Sequence, residues 1–386
     1  MSIKSIIIGT GSYIPPNKVP NSSFLQQVFY ESNGEIITKP TVEIIEKFEE
    51  ITEIKERRYV SQDLVTSDIA YFAAKNALES SQVNPETINY IIVANNFGDV
   101  DFENRRSTMV PSLASKVKHM LGIKNPKTIA FDIMFGCPGW LQGMIIADSL
   151  ISSGNATKVL VIGAETLSRI SDPHDRDSMI YADGAGATIL QGYEIDEPMG
   201  ILSYAMRSDT LEYANMLRMG ISYNPQYPNN TLFLKMDGNK LFQYAMDFVP
   251  LLVKEAMDKA DISLNEVSKF LFHQANAKMD YGFLGRTAEL YGYGIQDIPP
   301  EHMPKKKNYG TIGKSIAMYG IRDIPAHVMP MTIHEFGNSS VATIPTLLDR
   351  LVNNKLPDHK LKSDDIIVFA SVGAGMNINA MVYRMP

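Results

Sequence analysis

Three residue types spread along this chain can do nucleophilic chemistry together. Cys137 is the single cysteine and sits in Phe135-Gly136-Cys137-Pro138-Gly139-Trp140. A strand-like run, Thr128 to Ile133, leads into it, and a helix-like run, Leu141 to Leu150, follows. A thiol at a helix start meets free N–H groups and the positive end of the helix dipole, which favour the nucleophilic thiolate. A buried structural thiol is the commoner fate of a lone cysteine. The apolar run Lys269-Phe270-Leu271-Phe272 ends in His273-Gln274-Ala275-Asn276, and Asn338 opens Asn338-Ser339-Ser340-Val341-Ala342 after Phe336-Gly337. Taken singly, His273 reads as a satisfied core histidine and Asn338 as a helix N-cap. Brought to one centre, they are a nucleophile and its polar partners.

What must bring them together is a duplicated chain. Phe135-Gly136-Cys137 parallels Phe336-Gly337-Asn338, and at the same offset Asp148 parallels Asp349 and Leu150 parallels Leu351. Val83 to Ile92 resembles Ile262 to Leu271, and Val159 to Gly163 resembles Ile366 to Ala370. Each repeated unit is a turn or helical piece running into a buried apolar strand, which predicts α/β architecture with sheets covered on both faces. The halves divide near Asp196 to Gly200, giving an N-terminal half over 1–196 that carries Cys137 and a C-terminal half over 197–386 that carries His273 and Asn338. The second half holds extra residues within 280–331, a stretch rich in Gly, Pro and Tyr, of a length that usually marks a functional loop or lid.

Bulk properties narrow the function. The chain has 386 residues, 45% hydrophobic and 20% charged, an ordinary globular composition. One cysteine rules out an internal disulfide framework and suits a reducing, cytoplasmic setting. No apolar run approaches the roughly 18 residues of a membrane span, and the start reads as a first strand rather than a signal peptide. A net charge of −7 argues against nucleic acid as a partner. His119, His174, His302, His327, His334 and His359 show no metal-ligand spacing, so no metal is expected.

The motifs together resemble the ketoacyl-acyl-carrier-protein synthase III family of thiolase-fold condensing enzymes. The likeness rests on Asp132-x4-Cys137-x-Gly139, on His273-Gln274-Ala275-Asn276 and on Gly337-Asn338-Ser339-Ser340-Val341-Ala342-Thr343-Ile344-Pro345. Ile54 to Arg58, Pro111 to Ala114 with Leu121 to Asn125, Asp183 to Ala187 and Gly373-Ala374-Gly375 follow the family in order. The resemblance implies a five-layered αβαβα thiolase-like fold and a Cys137, His273, Asn338 triad. It also implies an oxyanion hole from the backbone N–H groups of Cys137 and Ala374, and a homodimer with Pro111 to Asn125 near the interface. Substrates would be acyl thioesters of coenzyme A or acyl carrier protein, with no further cofactor. Cys137 takes the acyl group, His273 and Asn338 steady an enolate, and ping-pong Claisen condensation follows. Thiolases need a second cysteine, which this chain lacks. The glutamate motif of hydroxymethylglutaryl-forming relatives is absent, and plant-type polyketide synthases carry His-Pro-Gly-Gly where this chain has His-Gln-Ala-Asn.

The region Ser171 to Ala187 looks most like ketosynthases that make dialkylresorcinol precursors, joining a 3-oxoacyl thioester to a second fatty acyl thioester as a cyclohexanedione. Initiation of fatty-acid synthesis, and acyl transfer to an oxygen or nitrogen acceptor, are the alternatives; an intact Asn338 favours condensation. Lys278 matches a basic position that docks the carrier protein or its pantetheine arm, against the plain reading of a solvated lysine, and Lys305-Lys306-Lys307 supplements it. Asp172 to Asp177 reads as a structural ion-pair cluster. Met134, Met206, Met216 and Met219 are candidates for an adaptable acyl tunnel or for ordinary packing. Gly9-Thr10-Gly11 reads as a strand-end turn rather than a dinucleotide loop.

Overall fold

A computed structural model of the chain describes residues 2–228, 230–292 and 328–386. The first sheet is built from β1 (Ser2–Tyr13), β2 (Tyr90–Ala94), β3 (Ile129–Ile133), β4 (Lys158–Thr166) and β5 (Asp183–Ile195), in the order β1-β5-β4-β2-β3. The second is built from β6 (Gly200–Ser208), β7 (Val267–Phe272), β8 (Ile366–Gly373) and β9 (Asn377–Arg384), in the order β6-β9-β8-β7. Both run antiparallel, antiparallel, parallel from the β1 or β6 edge, and the first adds one more parallel strand. The segments paired in the internal repeat, β2 with β7 and β4 with β8, therefore occupy equivalent places in the two sheets.

Helices separate the sheets and cover them. α4 (Gly139–Ser152) and α7 (Thr343–Val352) lie between the sheets in one core with Ile92, Val161, Leu271 and Phe369. An apolar face on every side is what a helix buried between two sheets requires, and Trp140, Leu141, Met144 and Ala147 are all buried. Outside the first sheet, α2 (Thr66–Ser81) and α3 (Leu113–Met120) close a second core. Outside the second, α5 (Gly238–Lys259) and α6 (Ala277–Leu290) close a third. The result is the five-layered αβαβα thiolase-like fold. Among the described residues no helix is long and apolar enough to cross a membrane.

Gly9 and Gly11 are not a strand-end turn: both lie inside β1. They are there because α2 packs against the strand so closely that a Cβ on Gly11 would stand 2.4 Å from the Ala73 carbonyl oxygen, and one on Gly9 2.7 Å from that of Ala77. The stretch 280–331 opens as the helix α6 through Leu290; Lys305-Lys306-Lys307, His302 and His327 fall outside the described residues.

The Asp172 to Asp177 cluster has an organiser that the local sequence does not contain. Lys235, 2% exposed, places its Nζ 2.5 Å from Asp172 and 3.1 Å from Asp175. The outer Arg176 pairs with Glu31 at 3.8 Å. Removing one partner from a buried ion cluster strands the opposite charge. Lys235→Met is therefore expected to cost about 3–5 kcal/mol of stability, read as a lower midpoint in chemical denaturation, while Arg176→Ala on the exposed pair costs under about 1 kcal/mol.

Candidate active site

Cys137 lies in the turn between β3 and α4, His273 directly after β7, Ala374 directly after β8, and Asn338 in the turn that precedes α7. Crossover connections put these strand ends at one end of the molecule, where ligands bind in α/β sheets. Cys137, His273, Asn338 and Ala374 all line a single cavity of about 1200 Å³.

Two glycine turns meet behind the nucleophile. Gly136 has φ +67°, and a Cβ there would stand 2.6 Å from the Ala374 nitrogen. A Cβ on Gly373 would stand 2.4 Å from the Cys137 nitrogen. Only glycine allows both the left-handed backbone and this approach. The approach packs the Cys137 turn against the Ala374 turn, and among the described residues neither the Cys137 nor the Ala374 N–H donates to a backbone carbonyl. Asn377 anchors the second turn, its Nδ2 donating to the Ala374 carbonyl at 2.8 Å. Two unspent N–H groups in touching turns are candidate donors for an oxyanion.

Asn338 is clamped by its backbone. Its N–H donates to the Ile180 carbonyl at 2.9 Å, and its carbonyl accepts from the Ala182 N–H at 2.8 Å. Its side-chain oxygen accepts from the Ser340 N–H at 2.8 Å, which among the described residues leaves Nδ2 as the free donor. The helix-capping reading holds only locally. Asn338 closes a tight turn, and α7 begins five residues later, after a 3-10 turn over Ser340–Ala342. Arg57, fully buried, braces the neighbouring Met179 by donating from Nε to its carbonyl at 2.9 Å, and spends its other donors on Val19 and Asn21.

His273 is 4% exposed, and burial lowers its pKa to about 4, so the ring is neutral at physiological pH. Its Nδ1 is sealed off without a partner among the described residues, which leaves Nε2 to serve the cavity. The thiol behaves differently from what the helix start alone implies. Cys137 touches the cavity but is enclosed by protein, and burial pushes its pKa up to about 11, with the Ser340 hydroxyl working the other way. Desolvation here outweighs the pull of the helix N-terminus.

Lys278 lies at the cavity wall in the first turn of α6, which Asn276 caps by accepting from the Lys278 N–H at 3.0 Å. The methionine expectation divides. Met134 and Met219 line the cavity, as do Met179, Met236, Met246 and Met279. Met206 instead lies on β6 and is 51% exposed, and Met216 is packed in the α5 core. Strand alternation turns Met206 to solvent, which a count of methionines does not reveal. The sequence reading also passed over Asn96, Glu165 and Ser340, which surround Cys137. Ser340 sits in the Asn338 motif, but nothing local marks Asn96 or Glu165.

The family model for 3-oxoacyl-[acyl-carrier-protein (ACP)] synthase III matches residues 131–210, which include Cys137. The model for the C-terminal part of the same family matches residues 316–385, which include Asn338 and Ala374. Both matched stretches belong to one family, and the chain is similar to that family over them. The chain is 28% identical to the 3-oxoacyl-[acyl-carrier-protein] synthase III of Aquifex aeolicus VF5, with a TM-score of 0.72 over 98% of this chain and 99% of that one. It is 26% identical to the β-ketoacyl-[acyl carrier protein] synthase III of Thermus thermophilus, with a TM-score of 0.74 over 99% of each chain. It shares its fold with the priming β-ketosynthase of the R1128 polyketide biosynthetic pathway at 22% identity, with a TM-score of 0.75 over 100% and 97% of the two chains.

Proposed function

We propose that this protein is a condensing ketosynthase that joins two acyl thioesters, a 3-oxoacyl thioester and a second, unsaturated fatty acyl thioester, and closes the product to a cyclohexanedione of the dialkylresorcinol type. The observation that carries this reading is the convergence of Cys137, His273, Asn338 and the Ala374 turn on one cavity of about 1200 Å³. That volume exceeds the roughly 300–1,000 Å³ of a site for one small molecule, and it favours two long chains over a short primer.

The Cys137 sulfur attacks the carbonyl of the first thioester. The N–H groups of Cys137 and Ala374 hold the tetrahedral oxyanion. The carbon–sulfur bond to the carrier breaks, and the carrier leaves as its thiol with the proton that Cys137 gave up. The 3-oxoacyl thioester then gives up the acidic C2 proton between its two carbonyls and becomes an enolate, whose oxygen accepts from His273 Nε2 and Asn338 Nδ2. A neutral imidazole suits this role as a donor that stays protonated at Nε2 and carries no competing charge. The enolate C2 adds to C3 of the unsaturated acyl-Cys137, the proton it lost returning to C2 of that acyl group; C4 of the 3-oxoacyl chain then attacks the acyl-Cys137 carbonyl, the second carbon–carbon bond closes the ring, and the Cys137 sulfur leaves with the C4 proton. The order of events is ping-pong. Lys278 at the cavity wall meets the anionic arm of a coenzyme A or acyl-carrier-protein thioester. We further propose a homodimer built on the side of Pro111 to Asn125, beside the 87% exposed Val110.

Incubation with a 3-oxoacyl thioester and an unsaturated acyl thioester is expected to yield a cyclohexanedione by mass spectrometry. Formation of linear 3-oxoacyl product alone from acyl and malonyl thioesters identifies a fatty-acid initiator instead.

A further inference from the structure

We propose that the Ser340 hydroxyl, with its hydrogen directed by Asn96, donates a hydrogen bond to Cys137 Sγ and stabilises the thiolate that attacks the first thioester. The proposal rests on Cys137 being the nucleophile, as read above, but not on which substrates it takes.

Ser340 has φ +53°, a left-handed conformation uncommon for a residue with a side chain. Held there, it makes two contacts at once. Its N–H donates to Asn338 Oδ1 at 2.8 Å, and its Oγ lies 3.3 Å from Cys137 Sγ. One residue thus orients the Asn338 amide and touches the reacting sulfur.

The direction of the Ser340 hydrogen follows from its surroundings. Asn96 Oδ1 accepts from the Gly136 N–H at 2.9 Å, so the Asn96 amide nitrogen must face the other way. That nitrogen donates to Glu165 Oε1 at 2.8 Å and reaches Ser340 Oγ at 3.4 Å. The Asn96 backbone N–H also donates to Glu165 Oε1, at 2.6 Å, and locks the residue in place. An oxygen that accepts from Asn96 has its own hydrogen free for the sulfur. Asn96 and Glu165 act through Ser340 and are positioning residues.

The thiolate needs this donor. Burial disfavours its charge, and His273 is neutral, so no imidazolium stands beside it. Glu165 is 1% exposed, and burial raises its carboxyl to about 8, so at neutral pH it does not set a full negative charge against the sulfur. Among the described residues Ser340 is the only side chain that donates to Cys137 Sγ.

The test is the pH profile of Cys137 alkylation by iodoacetamide, which requires no condensation chemistry. In Ser340→Ala the apparent thiol pKa is expected to rise by about one unit, a roughly tenfold loss of alkylation on the rising limb. Ser340→Gly also lacks the hydroxyl but fits the left-handed backbone, so it reports the same shift without added strain. Asn96→Ala is expected to move the profile in the same direction by a smaller step. Alkylation profiles of both Ser340 variants that keep the parent's apparent pKa, with slower turnover, overturn the proposal and leave Ser340 as a backbone support for Asn338. An unshifted Asn96→Ala profile overturns the assignment of Asn96 as the group that aims the hydroxyl.

Discussion

Replacing Cys137 with Ala is expected to remove condensation almost entirely, a fall on the order of 10⁴-fold or more in kcat. The cavity, the paired N–H groups and the second-substrate donors all remain in this variant, so binding survives while the covalent route is lost. The effect is large because the sulfur holds the acyl group between the two half-reactions, and no other cysteine exists to take its place. The substitution removes a small, partly buried side chain whose side-chain hydrogen bond is with the Ser340 hydroxyl, so folding is barely touched. Steady-state product formation, with thermal unfolding as the control, checks it.

The second large effect separates the two half-reactions. His273→Ala and Asn338→Ala are each expected to lower condensation by about 10²–10³-fold, the typical cost of one donor to a developing oxyanion, while acylation of Cys137 continues. In the proposed mechanism the split arises because neither side chain lies in the turns that would hold the first oxyanion. His273 follows β7, and Asn338 Oδ1 is occupied by Ser340, so their free donors serve the second substrate. Rapid-quench measurement of acyl-enzyme formation beside steady-state turnover resolves the two steps. Equal losses in both would place His273 and Asn338 in the acylation step. The neutral state of His273 adds a pH expectation. Its folded pKa of about 4 lies below the usual 6.5, so the ring stays uncharged until the medium becomes acidic. The folded state is favoured above the unfolded pKa, and that contribution is lost as pH falls from about 6.5 toward 4.

Much of the architecture and the central residues was legible before any coordinates. The Phe135-Gly136-Cys137 and Phe336-Gly337-Asn338 parallel marks two turns that the sheets place at one cavity, because duplicated halves repeat the same crossover twice. His273 was legible because it ends an apolar run, which reads as a strand end. What stayed hidden depends on contacts across the halves. Ser340 gains its meaning only when the Asn338 turn meets the Cys137 turn, and Asn96 and Glu165 only when β2 and β4 lie side by side. Lys235 is far in sequence from the aspartates it neutralises. Gly9 and Gly11 misled because a glycine pair in a strand looks like a turn until the helix packed on it is known. The helix start pointed to an acidic thiol, whereas depth of burial, invisible in a local motif, pushes it the other way.

The central claim is that Cys137 carries the acyl group in a condensing site. Its most direct test is the intact mass of the protein after mixing with a fatty acyl thioester alone, followed by peptide mapping. The parent is expected to gain the mass of one acyl group on the peptide that contains Cys137, and Cys137→Ala is expected to gain none. Acylation of Cys137→Ala to the same extent as the parent, or a label on any other residue, would contradict it.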